Sequence, residues 1–251
     1  VDMGQQRQKQ AAAKVTNVEV AKPTISEVLV EFLADEKTRL AAKTYRQYES
    51  VVDLLKHSLN GYAYQYLDKS EATLLDRLGT EQQKEFCDVF GPEHILSNVS
   101  EFLDYFMVRK VMCGKDTLRA AGTMTKKLAV WLAEHGYANS DDAKDAAEQG
   151  AEAARNLPAA DRLRDALNDF ADGNGLDQKD EDISDHFTIT AVEAGAIWLD
   201  AMTENVGKGG IGPVALPAHI AKQCKIGWSI SGIVGQRRGK WRLVEAWNVY
   251  P

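Results

Sequence analysis

Three cysteines in 251 residues, none in a CxxC pair, leave this chain without a disulfide framework or a thiolate zinc site. Cys87, Cys113 and Cys224 are odd in number and far apart. They fit buried thiols in a reducing cytoplasm. Long apolar runs are missing too: none approaches the roughly 18 residues a membrane helix needs. The N-terminal stretch VDMGQQRQKQAAAK is polar and lacks a hydrophobic signal core, which points away from secretion. Nor is there an excess of positive charge. The net charge of −7 excludes a uniformly basic nucleic-acid binder.

What is present is ordinary in bulk and uneven in detail. The chain is long enough for one large or two small cores, with 44% apolar and 27% charged residues. Residues 22–137 carry 15 basic and 17 acidic side chains, residues 138–187 carry 5 and 14, and residues 188–251 carry 7 and 4. The acidity is therefore concentrated in the middle, and the last segment is positive.

Residues 1–21 have no apolar periodicity and read as a loose tail. Pro23 and a capping box, Thr24 to Glu27, open a first helix with Ile25, Val28, Leu29, Phe32 and Leu33 on one face. The second helix turns Tyr45, Tyr48, Val52, Leu55 and Leu59 inward and stops at Asn60-Gly61. Residues 71–90 read as a third helix. Gly91-Pro92 opens a longer fourth, with Leu96, Val99, Leu103 and Phe106 inward. A fifth runs from about Asp116 to His135, with Met124, Leu128, Trp131 and Leu132 inward and Gly136 as its stop. Residues 22–137 thus form an all-α domain.

Residues 138–182 are rich in Ala and Asp, with thin apolar stripes. They read as an acidic helical linker: a weak helix, a break at Leu157-Pro158, a second helix with Leu163, Leu167 and Phe170, and an acidic loop. From Ile183 the period changes to two. Phe187, Ile189 and Val192 make one strand, Ile197 and Leu199 a second, Val214 and Leu216 a third. A helical turn at Pro217–Gln223 precedes a fourth, with Trp228, Ile230 and Ile233, and a fifth, with Trp241, Leu243 and Val244. Three strands, a short helix and two strands match the OB-fold, a small five-stranded barrel, with an SH3-like barrel as the second choice. The expected fold class is α+β: a helical bundle over 22–137, then a small β-barrel over 183–251.

The corner Lys43-Thr44-Tyr45-Arg46 is basic and bears hydroxyls. With Tyr45 and Tyr48 inward, Lys43, Arg46, Gln47 and Ser50 share the opposite helix face. The fifth helix repeats this with Arg119, Thr123 and Lys126 at i, i+4 and i+7, flanked by Lys127. Such side chains bond phosphates and, from a major groove, base edges. A plain solvated face would look the same.

Two segments carry a family resemblance. Thr44-Tyr45-Arg46-Gln47-Tyr48 is similar to the "TxxxY" helix of the core-binding, SAM-like domain of phage integrases, the tyrosine recombinases. Trp131-Leu132-Ala133-Glu134-His135-Gly136-Tyr137 resembles the aromatic-Leu-x-x-x-Gly end of a later helix there. The resemblance spans about residues 24–137 and implies DNA contact through the exposed faces of these helices. Two features depart from the family: residues 63–95 are longer than its usual link, and this segment is slightly acidic. The catalytic half of that family needs a His-x-x-Arg pair and a nucleophilic Tyr. None of His57, His94, His135, His186 and His219 has an Arg three residues on. Recombinase activity is therefore not expected, and Tyr250 reads as a packing residue.

The turn between the last two strands, Arg237-Arg238-Gly239-Lys240 before Trp241, suits single-stranded nucleic acid. It also suits a solvated hairpin tip. Asp172-Gly173-Asn174-Gly175 with Glu181 echoes a calcium loop but has Phe170 where the first ligand belongs. Gly207-Lys208-Gly209-Gly210 lacks the phosphate-loop spacing. No metal, cofactor or enzyme chemistry is expected. The expected function is non-catalytic binding of DNA or a single strand, without membrane contact. The alternative is an interaction scaffold that engages a protein partner through the barrel.

Overall fold

The computed structural model describes residues 19–179, 181–203 and 210–251. Among them it has the expected α+β architecture, a helical part followed by a closed five-stranded β-barrel. The glycine run at 207–209 and most of the N-terminal tail lie outside the described residues. Two compact units emerge. One joins residues 19–101 with Leu128–Lys144, and the other joins Phe102–Lys127 with Asp145–Pro251.

In the first unit, α1 (Ile25–Arg39) begins at the expected capping box. The Thr24 hydroxyl accepts from the Glu27 amide, and the Glu27 carboxylate accepts from the Thr24 amide at 2.8 Å. Phe32 stacks on Tyr48 and meets Trp131 edge-on, at centroid distances of 6.4 and 5.6 Å. The Trp131 indole donates to Asp35 at 2.9 Å, so this core aromatic keeps its polar edge satisfied.

Several boundaries differ from expectation. Helix α2 (Ala42–Tyr62) continues through Asn60-Gly61. Asn60 does not cap it. Instead its carbonyl accepts from the Cys87 amide at 2.9 Å and pins α4 (Phe86–Val89). Tyr45 is only half-buried, with the Lys37 ammonium 5.8 Å from its ring centre. The helix expected over 71–90 is split. Helix α3 (Lys69–Gln82) ends at Gln83, which adopts φ +54° and returns its amide to Gly79. The long helix expected after Gly91-Pro92 is three pieces: α5 (Glu93–Leu96), a π-turn (Glu101–Phe106) and α6 (Met107–Arg109). The Asn98 side chain donates to the His94 carbonyl at 2.8 Å and competes with the backbone ladder there. Helix α7 (Lys115–Glu134) ends as expected beside Gly136, at φ +75°.

The acidic linker is the main correction. Residues Ser140–Asn174 form one helix, α8, that passes through Pro158. Its thin stripe of Ala146, Ala147, Gly150, Ala153, Leu157 and Ala160 is buried. Small residues are needed there because α7 comes very close. A Cβ on Gly122 would clash with the backbone of Gly150 and Ala154, and one on Gly150 would meet the Lys126 amide nitrogen at 2.6 Å. Further on, Leu163, Leu167 and Ala171 enter the same hydrophobic cluster as the barrel interior. Each fully buried leucine stabilises the fold by about 2–5 kcal/mol relative to alanine. That burial offsets the proline, whose ring removes one helical hydrogen bond.

The barrel strands are β1 (Ile183–Glu193), β2 (Ala196–Ala201), β3 (Ile211–Ala215), β4 (Ser229–Arg237) and β5 (Lys240–Tyr250). Their order is β1-β2-β3-β5-β4, closed by pairing of β1 with β4. All neighbours are antiparallel except β3 and β5. The short helix α9 (Ala218–Ala221) lies between β3 and β4 in the sequence. Arg238 and Gly239, at φ +52° and +75°, make the two-residue turn that joins β4 to β5. Phe187, Ile189, Ile197, Leu199, Val214, Ile230, Val234 and Leu243 fill the interior.

Candidate nucleic-acid interface

The cations singled out from the sequence fall at three places. Lys43 and Arg46 are exposed on α2, with Thr44 and Gln47 half-buried beside them. That face is not purely basic. Glu49 and Asp53 follow Arg46 at helical spacing, and the Ser50 hydroxyl donates to the Arg46 carbonyl at 3.0 Å. Arg119, Thr123, Lys126 and Lys127 are all exposed on α7. Arg119 has Asp116 at 3.8 Å, and the Thr123 hydroxyl donates back to the Arg119 carbonyl at 2.9 Å. The α2 cations belong to the first compact unit and the α7 cations to the second.

Arg237, Arg238 and Lys240 share the β4–β5 turn, but their roles differ. Arg237 grips Asp182, just before β1, through both terminal nitrogens, at 2.6 and 2.8 Å. Its second terminal nitrogen also reaches the Asp177 carbonyl at 2.9 Å. The Asp182 side chain is fully enclosed. The guanidinium bonds hold its carboxyl below the usual carboxylate range, assisted by the Lys179 amide. Gly235 makes room for this pair, since a Cβ there would strike the Asp182 carboxylate. Arg237 is thus a structural clasp between the start of β1 and the end of β4. Neither a strand-binding cation nor a solvated hairpin tip, the two readings of this turn from the sequence, describes Arg237, which is paired with Asp182. Arg238 and Lys240 remain exposed, with no ion pair among the described residues.

Trp198, not singled out from the sequence, and Arg242, the end of the basic stretch Gly235–Arg242, complete the face. Trp198 on β2 lies between the buried Ile197 and Leu199, so its half-exposed ring is on the outer surface. It rests over Gly212 of β3, where a Cβ would approach Trp198 Cδ1 to 2.7 Å. Arg242, half-buried and without an ion pair among the described residues, follows Lys240 two positions on. Both flank Trp241, which packs against the interior and pairs with Val214 of β3. Lys240 and Arg242 therefore share the outer side of β5. They lie two strand spacings from Trp198, about 10 Å across β3. Asp200, exposed two residues after Trp198, and Glu245, exposed on β5, are acidic residues of the barrel's outer surface. Strand alternation is the signal that could have found it: with Ile197 and Leu199 inward, Trp198 faces out.

The remaining titratable features are structural. Burial pushes the Cys87 thiol up to about 12 and the Cys224 thiol to about 11, so both are inert at neutral pH. Cys113 is half-buried rather than buried, and all three cysteines are free. Among the described residues no group of three potential ligands is arranged to hold a metal ion, and no helix is long and apolar enough to cross a membrane. Comparison with protein-family models, with curated proteins and with solved structures finds no match to this chain.

Proposed function

We propose that the protein is a non-catalytic nucleic-acid-binding protein of the cytoplasm that takes a single strand across the outer face of β2, β3 and β5. The observation that carries this reading is the half-exposed Trp198 ring on the same barrel surface as unpaired Lys240 and Arg242. Base stacking on an aromatic side chain and phosphate contact by nearby cations are the two ingredients of sequence-tolerant strand binding. The strand order, with β3 parallel to β5, favours an OB-like barrel over an SH3-like one. In OB-folds the face of strands 2 and 3 and the loop between strands 4 and 5 are the usual contact surface. Relationship of the helical part to the integrase core-binding domain belongs to the same reading. It is supported by the capped α1, the Thr44–Tyr48 helix start and the Trp131–Gly136 helix end.

The test is anisotropy of the full chain with labelled oligothymidylate and oligouridylate over a salt series. Trp198→Ala should weaken binding by roughly 1–3 kcal/mol while the barrel stays folded. Lys240→Ala with Arg242→Ala should reduce the salt slope by about 1.4, two phosphate contacts on a single strand. Asp200→Asn should tighten binding. Wild-type affinity in the folded Trp198→Ala protein would overturn the proposal. The interaction-scaffold reading draws on Glu49 and Asp53, which interrupt the α2 face. It gains if neither single strands nor duplex bind at low salt.

A further inference from the structure

We propose that the second unit holds a binding site, separate from the barrel's outer face, for an amphipathic monocarboxylate: an apolar tail or ring ending in one anionic group. A cleft of about 570 Å³ opens between the Met107–Leu118 stretch, α8 and the end of β5. That volume lies within the roughly 300–1,000 Å³ of sites that enclose small ligands. Its apolar lining includes Met107, Leu118, Leu157 and Val249. Met112, at the same cleft, is fully exposed, as few large apolar side chains are among the described residues. Methionine is the side chain that best adapts to varied apolar shapes.

The charges select the ligand's other end. Arg164 is already committed, with Asp161 at 2.7 Å and Asp165 at 2.8 Å. Arg109 is not. Its guanidinium lies over the Tyr105 ring, 5.4 Å from the centre, and makes no ion pair among the described residues. The cleft therefore offers one unspent cation beside an apolar wall, with the Asn248 amide nearby as a neutral polar group. A carboxylate on Arg109 gains a charge-assisted, potentially bidentate contact. A neutral amphiphile gains only burial.

The test uses the full chain and dodecanoate below its micelle concentration, followed by calorimetry, with dodecanol as the neutral control. Arg109→Met should weaken dodecanoate at least about tenfold, the worth of a charge-assisted hydrogen bond, and leave dodecanol unchanged. Gly114→Trp should weaken both, because Gly114 lines the cleft and a side chain there meets nothing within 4 Å. Cys113 gives a second readout that needs no variant. It lines the cleft and is the one cysteine of the three that is not buried. Dodecanoate should slow its alkylation by N-ethylmaleimide, read by mass spectrometry. Absence of dodecanoate binding, equal affinity in Arg109→Met, or undiminished Cys113 labelling at saturation would each overturn the proposal. Loss of oligonucleotide binding would not touch it, since Trp198, Lys240 and Arg242 do not line this cleft.

Discussion

Asp182 and Arg237 show how a residue's role is decided by what it meets. In the sequence Arg237 is one of three cations in a turn, and exposed turn charges contribute little to folding. In the structure its partner is an enclosed carboxylate, so removing either side strands the other. Arg237→Ala should lower the melting temperature more than Arg238→Ala, and Asp182→Asn should do the same. Because the folded-state pKa of Asp182 lies below its ordinary value, this stabilisation is present above the ordinary carboxylate range. It disappears as pH falls through the depressed folded value. Melts between pH 7 and pH 3 should therefore show an acid loss that Asp182→Asn flattens. An unchanged acid profile in that variant would refute the clasp. Tyr250 is the opposite case. Its hydroxyl is buried and finds no hydrogen-bond partner among the described residues, and its ring lies 5.6 Å from that of His186. Incubation with nicked or intact DNA should yield no covalent adduct; an adduct lost in Tyr250→Phe would contradict this.

Among the elements, the barrel was legible and the long helix was not. Each of the five strands overlaps the segment read for it, although Leu216 and Trp228 fall one residue outside β3 and β4, and β4 is buried along most of its length and does not alternate. Helix α8 was hidden by its own packing. Ala146, Gly150 and Ala153 look like a weak apolar stripe, yet they are small because α7 lies against them at Gly122. Pro158 added a false break. The short helices before α7 were overextended, since nothing in the periodicity announces that the Asn98 amide will take the His94 carbonyl. The site divides the same way. Trp198 was readable from strand alternation, whereas the pairing of Arg237 with Asp182 joins residues 55 positions apart and has no local signal. A bulky residue tests the α7–α8 crossing: Gly150→Val should destabilise the chain in a denaturant titration far more than Ala151→Val, one residue along on a half-buried position. Equal effects would mean that the helices can separate without loss.

At the scale of the whole molecule, the barrel does not end where its strands do. Leu163, Leu167 and Ala171 of α8 belong to its core, so residues 183–251 lack part of their own interior. Expressed alone, that segment should fail to give a cooperative melt or dispersed amide resonances. Leu167→Ala in the full chain should cost about 2–5 kcal/mol and be felt in barrel resonances. A stable isolated 183–251 fragment would show the α8 contacts to be dispensable. The same logic forecasts that proteases will spare residues 145–174 in the folded protein, despite their acidic, alanine-rich composition.

Each compact unit is stitched from two separate stretches of chain, so the polypeptide passes from one to the other three times, near residues 101, 127 and 144. This has a consequence for birth on the ribosome. Synthesis delivers residues in order, at roughly 5–20 per second. The first unit cannot close until residue 144 has cleared the exit tunnel, because Trp131 and its neighbours complete its core. Residues 102–127 emerge before that; Gly122 and its neighbours meet α8 soon after, but the Met107–Arg109 stretch must wait for more than a hundred further residues before β5, against which it packs, exists. During that interval Met107, destined for burial, lacks its β5 cover. The nascent chain is thus exposed to aggregation for longer than one built from two consecutive domains, and holding chaperones would have their natural foothold there.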